Sequence, residues 1–325
     1  MPHLQIIAED RERDRLIDLT GLTCRVQWTD TVAYRPGCLM LELIDPTIRL
    51  SHGGRIQLYS DGVGLFSGFI MYISCGSDGR MTVYAYDQRR YLNNMDMRSF
   101  SYASSSEIFT KICEDLQLPY QVRDPSTYKL GTILGDRRSN FSILEEALEE
   151  TALQSGQKFL LRDCFGKLEH VHTDSLQSNL LLGDNDLLTE YQYTSDIRQN
   201  TYNAILLVQN NDQKQTRYLA ENPQKIAAWG RLQYIESADG TLNQAQVQER
   251  AERLLQEKCR EKKSLRLQAL GDLRIYAGCS FYLSAEALVK QGIAAGSRVM
   301  ALSCTHDFWP DSHMMSIEAE ITQTE

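Results

Sequence analysis

No window of the 325-residue chain approaches the roughly 18 to 20 uninterrupted apolar residues that a membrane-spanning helix needs. The N-terminus also has no basic region followed by an apolar core, so a secretory leader is not expected. The eight cysteines, at 24, 38, 75, 113, 164, 259, 279 and 304, include no C-x-x-C pair. That removes zinc-finger spacing and a disulfide framework. Several of them fall inside apolar segments, where a reduced thiol packs as a small hydrophobe, so all eight are expected free and the folding compartment reducing and cytosolic. A basic stripe is missing too. With 34 Lys and Arg against 43 Asp and Glu, the net charge is −9 and the pI near 5.3, which excludes a phosphate-binding surface and with it nucleic-acid recognition. The short pairs Arg89-Arg90, Arg137-Arg138 and Lys262-Lys263 read as solvated faces or salt-bridge partners. No G-x-S-x-G, H-E-x-x-H, P-loop or dinucleotide fingerprint occurs, and no cysteine has an obvious histidine partner. A product of this kind leaves its cell inside a particle or by lysis.

What is present is alternation. The chain is 42% hydrophobic and 24% charged, long enough for two or three domains with a substantial core. Segments 55–60, 65–75 and 81–87 read in period two, with turns at Asp61-Gly62 and Asp78-Gly79, and form a β-meander. In the last of them Val83, Ala85 and Asp87 point one way and Thr82, Tyr84 and Tyr86 the other, so both faces are partly apolar and both are expected to meet protein. Upstream, 3–8, 23–29 and 37–44 read as strands, the last two joined through Tyr34-Arg35-Pro36-Gly37. The sign-alternating run 9–15 reads as an exposed loop or hairpin tip. A small antiparallel sheet of about six strands is expected to close on itself to remove its edges.

From residue 101 the period changes. Ser104 and Glu107 open a helix whose apolar side is Ile108, Phe109, Ile112, Leu116 and Leu118, ending at Pro119. A second helix starts at Ser139 or Asn140 and buries Phe141, Ile143, Leu144, Ala147, Leu148 and Leu153. A hairpin of 159–162 and 167–170 crosses Asp163-Cys164-Phe165-Gly166. After a turn at 184–186, strands return at 188–194 and 204–209, a long helix is expected over 243–263, and strands follow at 264–269, 280–283, 298–307 and 314–322. The fold class is therefore mainly β with an α+β insertion: a first β-barrel at 1–96, a helix-helix-hairpin insert at 97–185, and a second β-barrel with one long helix at 186–325. This order does not repeat the βαβ rhythm of a parallel sheet.

Three groups of residues invite a chemical reading. His170 and His172 share one face of a strand, and an H-x-H pair binds zinc when a third ligand converges on it. Strand histidines that face solvent are the more common explanation of this spacing, since a metal site needs converging ligands. His306, Asp307, Asp311 and His313 surround Phe308-Trp309-Pro310 as an acid-imidazole group, which a turn between strands also accounts for. Glu145, Glu146, Glu149 and Glu150 resemble a glycosidase's acids only in composition. Their spacing makes one solvated helix stripe, whereas a glycosidase sets two carboxylates across a cleft. No catalytic, cofactor-binding or metal residue is assigned.

The strand pair carrying Phe66-Ser67-Gly68-Phe69-Ile70, followed by Val83-Tyr84-Ala85-Tyr86-Asp87 running into Arg90-Tyr91-Leu92, resembles the tail-hub proteins of contractile phage tails and prophage particles, the XkdQ/YqbQ type. The resemblance continues through Ala227-Ala228-Trp229-Gly230-Arg231-Leu232-Gln233, where Trp229 replaces the more usual Tyr. It extends to the helix opening near Asn243, to Ala269-Leu270-Gly271-Asp272 before Ala277-Gly278, and to His306 near the final strand. It implies a structural, non-enzymatic baseplate hub with two tube-type β-barrels per chain. Three chains would make a ring of six barrels between a six-fold tail tube protein and a three-fold central spike protein, with baseplate wedge and tape-measure proteins as further partners. The particle, a phage, prophage, tailocin or other injection device, would be assembled in the bacterial cytoplasm. Two other readings stay open. A tail-associated cell-wall hydrolase is one, although the chain ends about where the second barrel is expected to close and leaves no room for a catalytic domain. A carbohydrate- or receptor-binding β protein is the other, suggested by 16 Tyr and 3 Trp.

Overall fold

The computed structural model describes residues 3–323 except 12, 45–47, 185, 212–213, 239 and 241. Part of the charged run 9–15 and the middle of the 184–186 turn therefore lie outside the described residues. Seven strands come first: β1 Leu4–Asp10, β2 Arg15–Asp18, β3 Thr23–Thr31, β4 Cys38–Leu43, β5 Arg55–Ser60, β6 Val63–Cys75 and β7 Met81–Tyr86. Alternation sends Leu39, Leu41, Leu43, Ile56, Leu58, Ile70, Val83 and Ala85 into one core. β5, β6 and β7 are the expected meander. The two-residue turn between β5 and β6 has positive φ at both Asp61 (49°) and Gly62 (80°), the conformation whose twist matches a hairpin's strands. The described residues of the charged run lie at the end of the β1–β2 hairpin, where Asp10 pairs with Arg15.

The next part contains β8 Met95–Phe100, α1 Ser105–Asp115, β9 Tyr120–Val122, β10 Ile133–Ser139, α2 Asn140–Ser155, β11 Phe159–Cys164 and β12 Lys167–His172. Ser104 and Glu107 close a reciprocal capping box on α1, and Ser139 caps α2. Ile108, Phe109, Ile112, Ile143, Leu144, Ala147, Leu161 and Leu168 share its core. The β11–β12 hairpin is the expected one, whereas β9 beside it and the β8–β10 pair were not expected from the sequence. The tip of the β11–β12 hairpin reaches β6. A Cβ at Gly64 would lie 2.5 Å from the Phe165 ring, and the Tyr59 and Phe165 rings meet edge to face at 5.1 Å. Only glycine leaves that notch open. Gly64→Val is therefore expected to lower stability by about 1–3 kcal/mol through overpacking, with part recovered when Phe165→Ala is added. Urea unfolding of the single and double variants checks this, and a Gly64→Val midpoint equal to wild type would mean that the hairpin tip sits elsewhere.

The remaining elements are β13 Gln177–Gly183, β14 Leu188–Asp196, β15 Ala204–Asn211, β16 Lys214–Glu221, α3 Pro223–Trp229, β17 Gln233–Ala238, α4 Gln244–Lys258, β18 Lys262–Leu270, β19 Ser280–Ser284, α5 Glu286–Val289, β20 Ser297–Trp309 and β21 Ser312–Gln323. The contacts cut the chain differently from the sequence blocks 1–96, 97–185 and 186–325. One compact unit comprises residues 1–192 with 265–325, and the other residues 193–264. In the smaller unit β15 is central, antiparallel to β16 and parallel to β17. Val247, Ala251 and Leu254 are the buried face of α4, capped by Asn243 and Gln246. The long helix ends at Lys258 rather than 263, because the residues after Cys259 enter β18.

In the larger unit the strands run β14-β18-β21-β20-β3-β4-β7-β6-β5-β1-β2, with β19 on β20 and β13 on β19. The first and last parts of the chain are thus one sheet, joined where β3 pairs with β20. Two separate barrels were expected. Among the described residues the path instead stays open, ending at β2 and β14, and no closed barrel is found. The physical reason is that an edge strand needs a partner for its backbone groups, and β3 finds one in the last block instead of in its own.

Candidate functional site

The β3–β20 seam is held from both sides. On the inner face Trp28 stacks on its cross-strand partner His306 with ring centroids 5.2 Å apart. On the outer face Arg25 donates two hydrogen bonds to Asp307 (3.0 and 2.8 Å), and the Thr29 and Thr305 hydroxyls meet at 3.0 Å. Strand alternation therefore splits the acid-imidazole group noted in the sequence: His306 points in, Asp307 out, and Asp311 lies exposed in the β20–β21 turn. His306 Nε2 lies 2.9 Å from the Ile275 carbonyl, so Nε2 carries the hydrogen and Nδ1 accepts from His313 Nε2 at 3.0 Å. Burial pushes both imidazoles down to about 4, so the pair is neutral at pH 7. With every ring nitrogen of His306 engaged, it packs the seam and has no lone pair for a metal.

His170 and His172 do share a face, since both rings meet Phe159. His170 Nδ1 donates to the Asp124 carbonyl (2.9 Å), and its Nε2 accepts from the Ser105 hydroxyl (3.1 Å). A serine hydrogen-bonded to an imidazole is half of a nucleophile–base pair. Here both residues are fully buried, and the group orienting the imidazole is a backbone carbonyl rather than a carboxylate. His172 instead accepts from the Asp174 amide. Among the described residues no cluster of three or more His, Cys, Asp or Glu is placed to hold a metal ion. The α2 acids do not converge on a cleft: Glu146 pairs with Arg138, and Glu149 is exposed. All eight cysteines are free thiols.

Sequence reasoning missed a buried ionic knot where the meander meets the insert. Asp87 lies in phase with Val83 and Ala85 and is buried, as is Arg89, which is only 2% exposed. Arg89 is thus a salt-bridge partner, not a solvated face. Its guanidinium donates to Asp87 (2.9 and 2.7 Å), to Asp30 (2.6 Å) and to the Thr31 carbonyl (2.5 Å). Asp87 also accepts from the Gly37 and Arg89 amides, which fixes the start of β4 and the short helical turn after β7. The visible signal was parity: an aspartate on the apolar side of its strand needs a buried cation.

The other face of the meander is aromatic. Tyr72 pairs with Tyr84 across β6 and β7, their rings edge to face at 5.5 Å, and Tyr72 is 50% exposed. Phe69 meets Tyr91 at 5.7 Å. A face of large amphipathic rings, on a sheet whose end strands β2 and β14 each leave one edge unpaired among the described residues, suits contact with other protein.

Comparison with known proteins decides the family. The sequence pattern described as YQBQ-like matches residues 26–320. The chain belongs to that family. It is 29% identical to YqbQ of Bacillus subtilis (strain 168) over 273 residues, covering 83% of this chain and 81% of YqbQ. It is 28% identical to the XkdQ protein of the phage-like element PBSX of the same organism, covering 83% and 82%. Among solved structures, a tail protein from Neisseria meningitidis MC58 shares the fold with a TM-score of 0.73 at 11% identity, covering 98% of this chain and 97% of that one. The E. coli c3393 protein, a component of the type VI secretion system described as similar to the T4 tail proteins gp27 and gp5, aligns with a TM-score of 0.57 at 11% identity over 93% and 74% of the two chains. The YQBQ-like chain thus has the fold of phage tail proteins. None of the helices among its described residues is long and apolar enough to cross a membrane.

Proposed function

We propose that this YQBQ-like chain is a structural tail hub: a homotrimer that joins a six-fold tail tube to a three-fold central spike in a contractile injection particle, assembled in the cytoplasm and carried in the baseplate. The observation that carries this reading is the β3–β20 seam. It sets two β blocks side by side in one sheet, one from residues 1–96 and one from β14, β18, β20 and β21, with one edge of β2 and of β14 unpaired among the described residues. Two such blocks serve as the tube-type units, and the insert at 97–185 braces the first. Three copies then present six quasi-equivalent units, which lets three-fold and six-fold neighbours share one axis with closed symmetry. The open ends and the Tyr72, Tyr84 and Tyr86 face supply surfaces for neighbouring subunits, and wedge or tape-measure proteins are further contacts. The chain is read as non-enzymatic: the Ser105–His170 pair is sealed in a core.

Tyr86→Asp and Phe69→Asp are expected to fold but to abolish assembly with tube and spike. Size analysis and counts of intact particles made with each variant check this. A particle reconstruction with a copy number other than three at this position ends the reading. Clearing of purified cell wall by the chain, lost in Glu145→Gln, would replace it with the hydrolase.

A further inference from the structure

Residues of β1, β2, β5 and β6 surround a concavity of about 440 Å³ on the face of the first sheet turned away from its core. Ile7, Leu16 and Phe69 are its apolar lining, and Glu9, Arg11 and Arg55 its charged lining. Cations outnumber carboxylates there. Glu9 accepts from the Arg55 backbone amide at 3.1 Å and from Arg11 Nε at 3.4 Å, and among the described residues the Arg55 guanidinium has no hydrogen bond or ion pair. Among the same residues the exposed Arg90 guanidinium and the half-buried Tyr91 hydroxyl have none either. Tyr91 sits beside the concavity, its ring 5.7 Å from that of Phe69. Burial pushes the Tyr91 hydroxyl up, and the charges of Arg11 and Arg90 act on it in the opposite sense, so both guanidinium groups lie near it. The concavity is the charged end of the aromatic face, because Arg55, Phe69 and Tyr86 are cross-strand neighbours in one row over β5, β6 and β7.

We propose that this concavity captures a carboxylate from an acidic segment of a neighbouring protein, with Arg55 and Arg11 as the cationic donors, Tyr91 as a further donor, and Ile7, Leu16 and Phe69 covering the apolar side chain next to that carboxylate. The inference deepens the reading of the aromatic face as a contact surface and rests on it. A lone exposed guanidinium carries no such meaning. Here unpaired donors gather in a concave site with apolar walls, on a chain whose net charge is −9, so the local sign opposes that of the whole molecule. Charge complementarity then selects an anion. A guanidinium fork matches a carboxylate in two parallel hydrogen bonds, and Arg, Tyr and Phe are the residue types enriched at the centres of protein contacts. The walls select among anions. An inorganic ion gains nothing from Ile7, Leu16 and Phe69, and the overall negative charge repels a polyphosphate, whereas an acidic residue beside an apolar one uses both parts of the site.

The test uses the full chain and the blocked tripeptide acetyl-Leu-Glu-Phe-amide, read by the arginine Nε–H signals in proton–nitrogen NMR. A saturable shift of the Arg55 signal is expected, with a dissociation constant in the millimolar range that weakens severalfold between about 50 and 200 mM salt. Arg55→Gln and Arg11→Gln should each weaken binding by about tenfold, the loss of one charged hydrogen bond. Both side chains are exposed, so each variant should melt as wild type does, and either one decides if the other fails to fold. The same peptide with Gln in place of Glu should bind about tenfold more weakly, and inorganic phosphate more weakly than the Glu peptide. Four results would each overturn the proposal. They are no saturable shift up to about 20 mM peptide, equal binding of the Gln peptide, which makes the site merely apolar, phosphate binding as tightly as the Glu peptide, which makes it a site for free anions, and self-association of wild type that Arg55→Gln abolishes, which makes the occupant a second copy. None of these bears on the copy number in the particle. Failure of the peptide to bind therefore leaves the trimeric hub standing, and a copy number other than three leaves the carboxylate site standing.

Discussion

Arg89→Met is expected to cost about 3–5 kcal/mol, the range for removing one partner from a buried ion pair, and so to bring the chain close to unfolding at 37 °C. The side chain is buried, and among the described residues it alone supplies cationic hydrogen bonds to Asp87 and Asp30. Methionine fills much of the volume but leaves two carboxylates in an apolar surround without a counter-charge. The loss is therefore electrostatic, not one of packing. The control separates the two: adding Asp30→Asn and Asp87→Asn to Arg89→Met removes the stranded charges and should recover a large part of the stability, since replacing a whole buried network is far cheaper than breaking it. Arg89→Lys should fall between, because an ammonium cannot bridge two carboxylates and a carbonyl as a planar fork does. Urea unfolding at pH 7 measures all three. A shift below about 1 kcal/mol for Arg89→Met would show the site to be solvated.

The contrast between Arg89 and the meander shows what the sequence could carry. The strands 55–60 and 81–87 were legible because alternation and the Asp61-Gly62 turn act within a few residues, and the same is true of the Ser104 and Glu107 cap. Even there a boundary moved: α4 stops at Lys258, where the strand pairing of β18 overrides a helical period that runs on to Lys263. The β3–β20 seam was not legible. Trp28 and His306 are hundreds of positions apart, and each strand alone reads as an ordinary two-faced strand that could close its own sheet. His306 and His313 were noted as a group that turned out to be half right, since alternation keeps the imidazoles together and sends Asp307 to Arg25. Arg89 was read as either a solvated face or a salt-bridge partner, and the second holds; the parity of Asp87, which places a carboxylate inside, was the signal that separates the two. The small strands β9 and β17 were missed because their periodicity is short and their parallel pairing comes from distant segments, and β16 was missed although it forms a hairpin with β15.

Leu254→Asp is expected to unfold residues 193–264 while leaving the larger unit intact. Leu254 is 4% exposed and lies with Val247 and Ala251 on the side of α4 that faces β15 and β16. The core it joins is thin, built on Ile205, Leu207, Tyr218 and Ala220. A small unit has little stability in reserve, and an aspartate there either ionises in an apolar site or takes up a proton, costing several kcal/mol in both cases. The larger unit has a separate core, centred on Leu39, Leu41, Ile56 and Val83, that does not depend on this helix. Hydrogen exchange on the full chain, read by mass spectrometry, should therefore show protection lost across β15, β16, β17 and α4 and kept across β4, β5 and β7. Leu254→Ala is the graded companion: it should loosen the same segments by about 2–5 kcal/mol without adding charge. Wild-type protection of β15 in Leu254→Asp would mean that α4 does not cover the sheet. Simultaneous loss across β4 and β7 would mean that the two units fold as one.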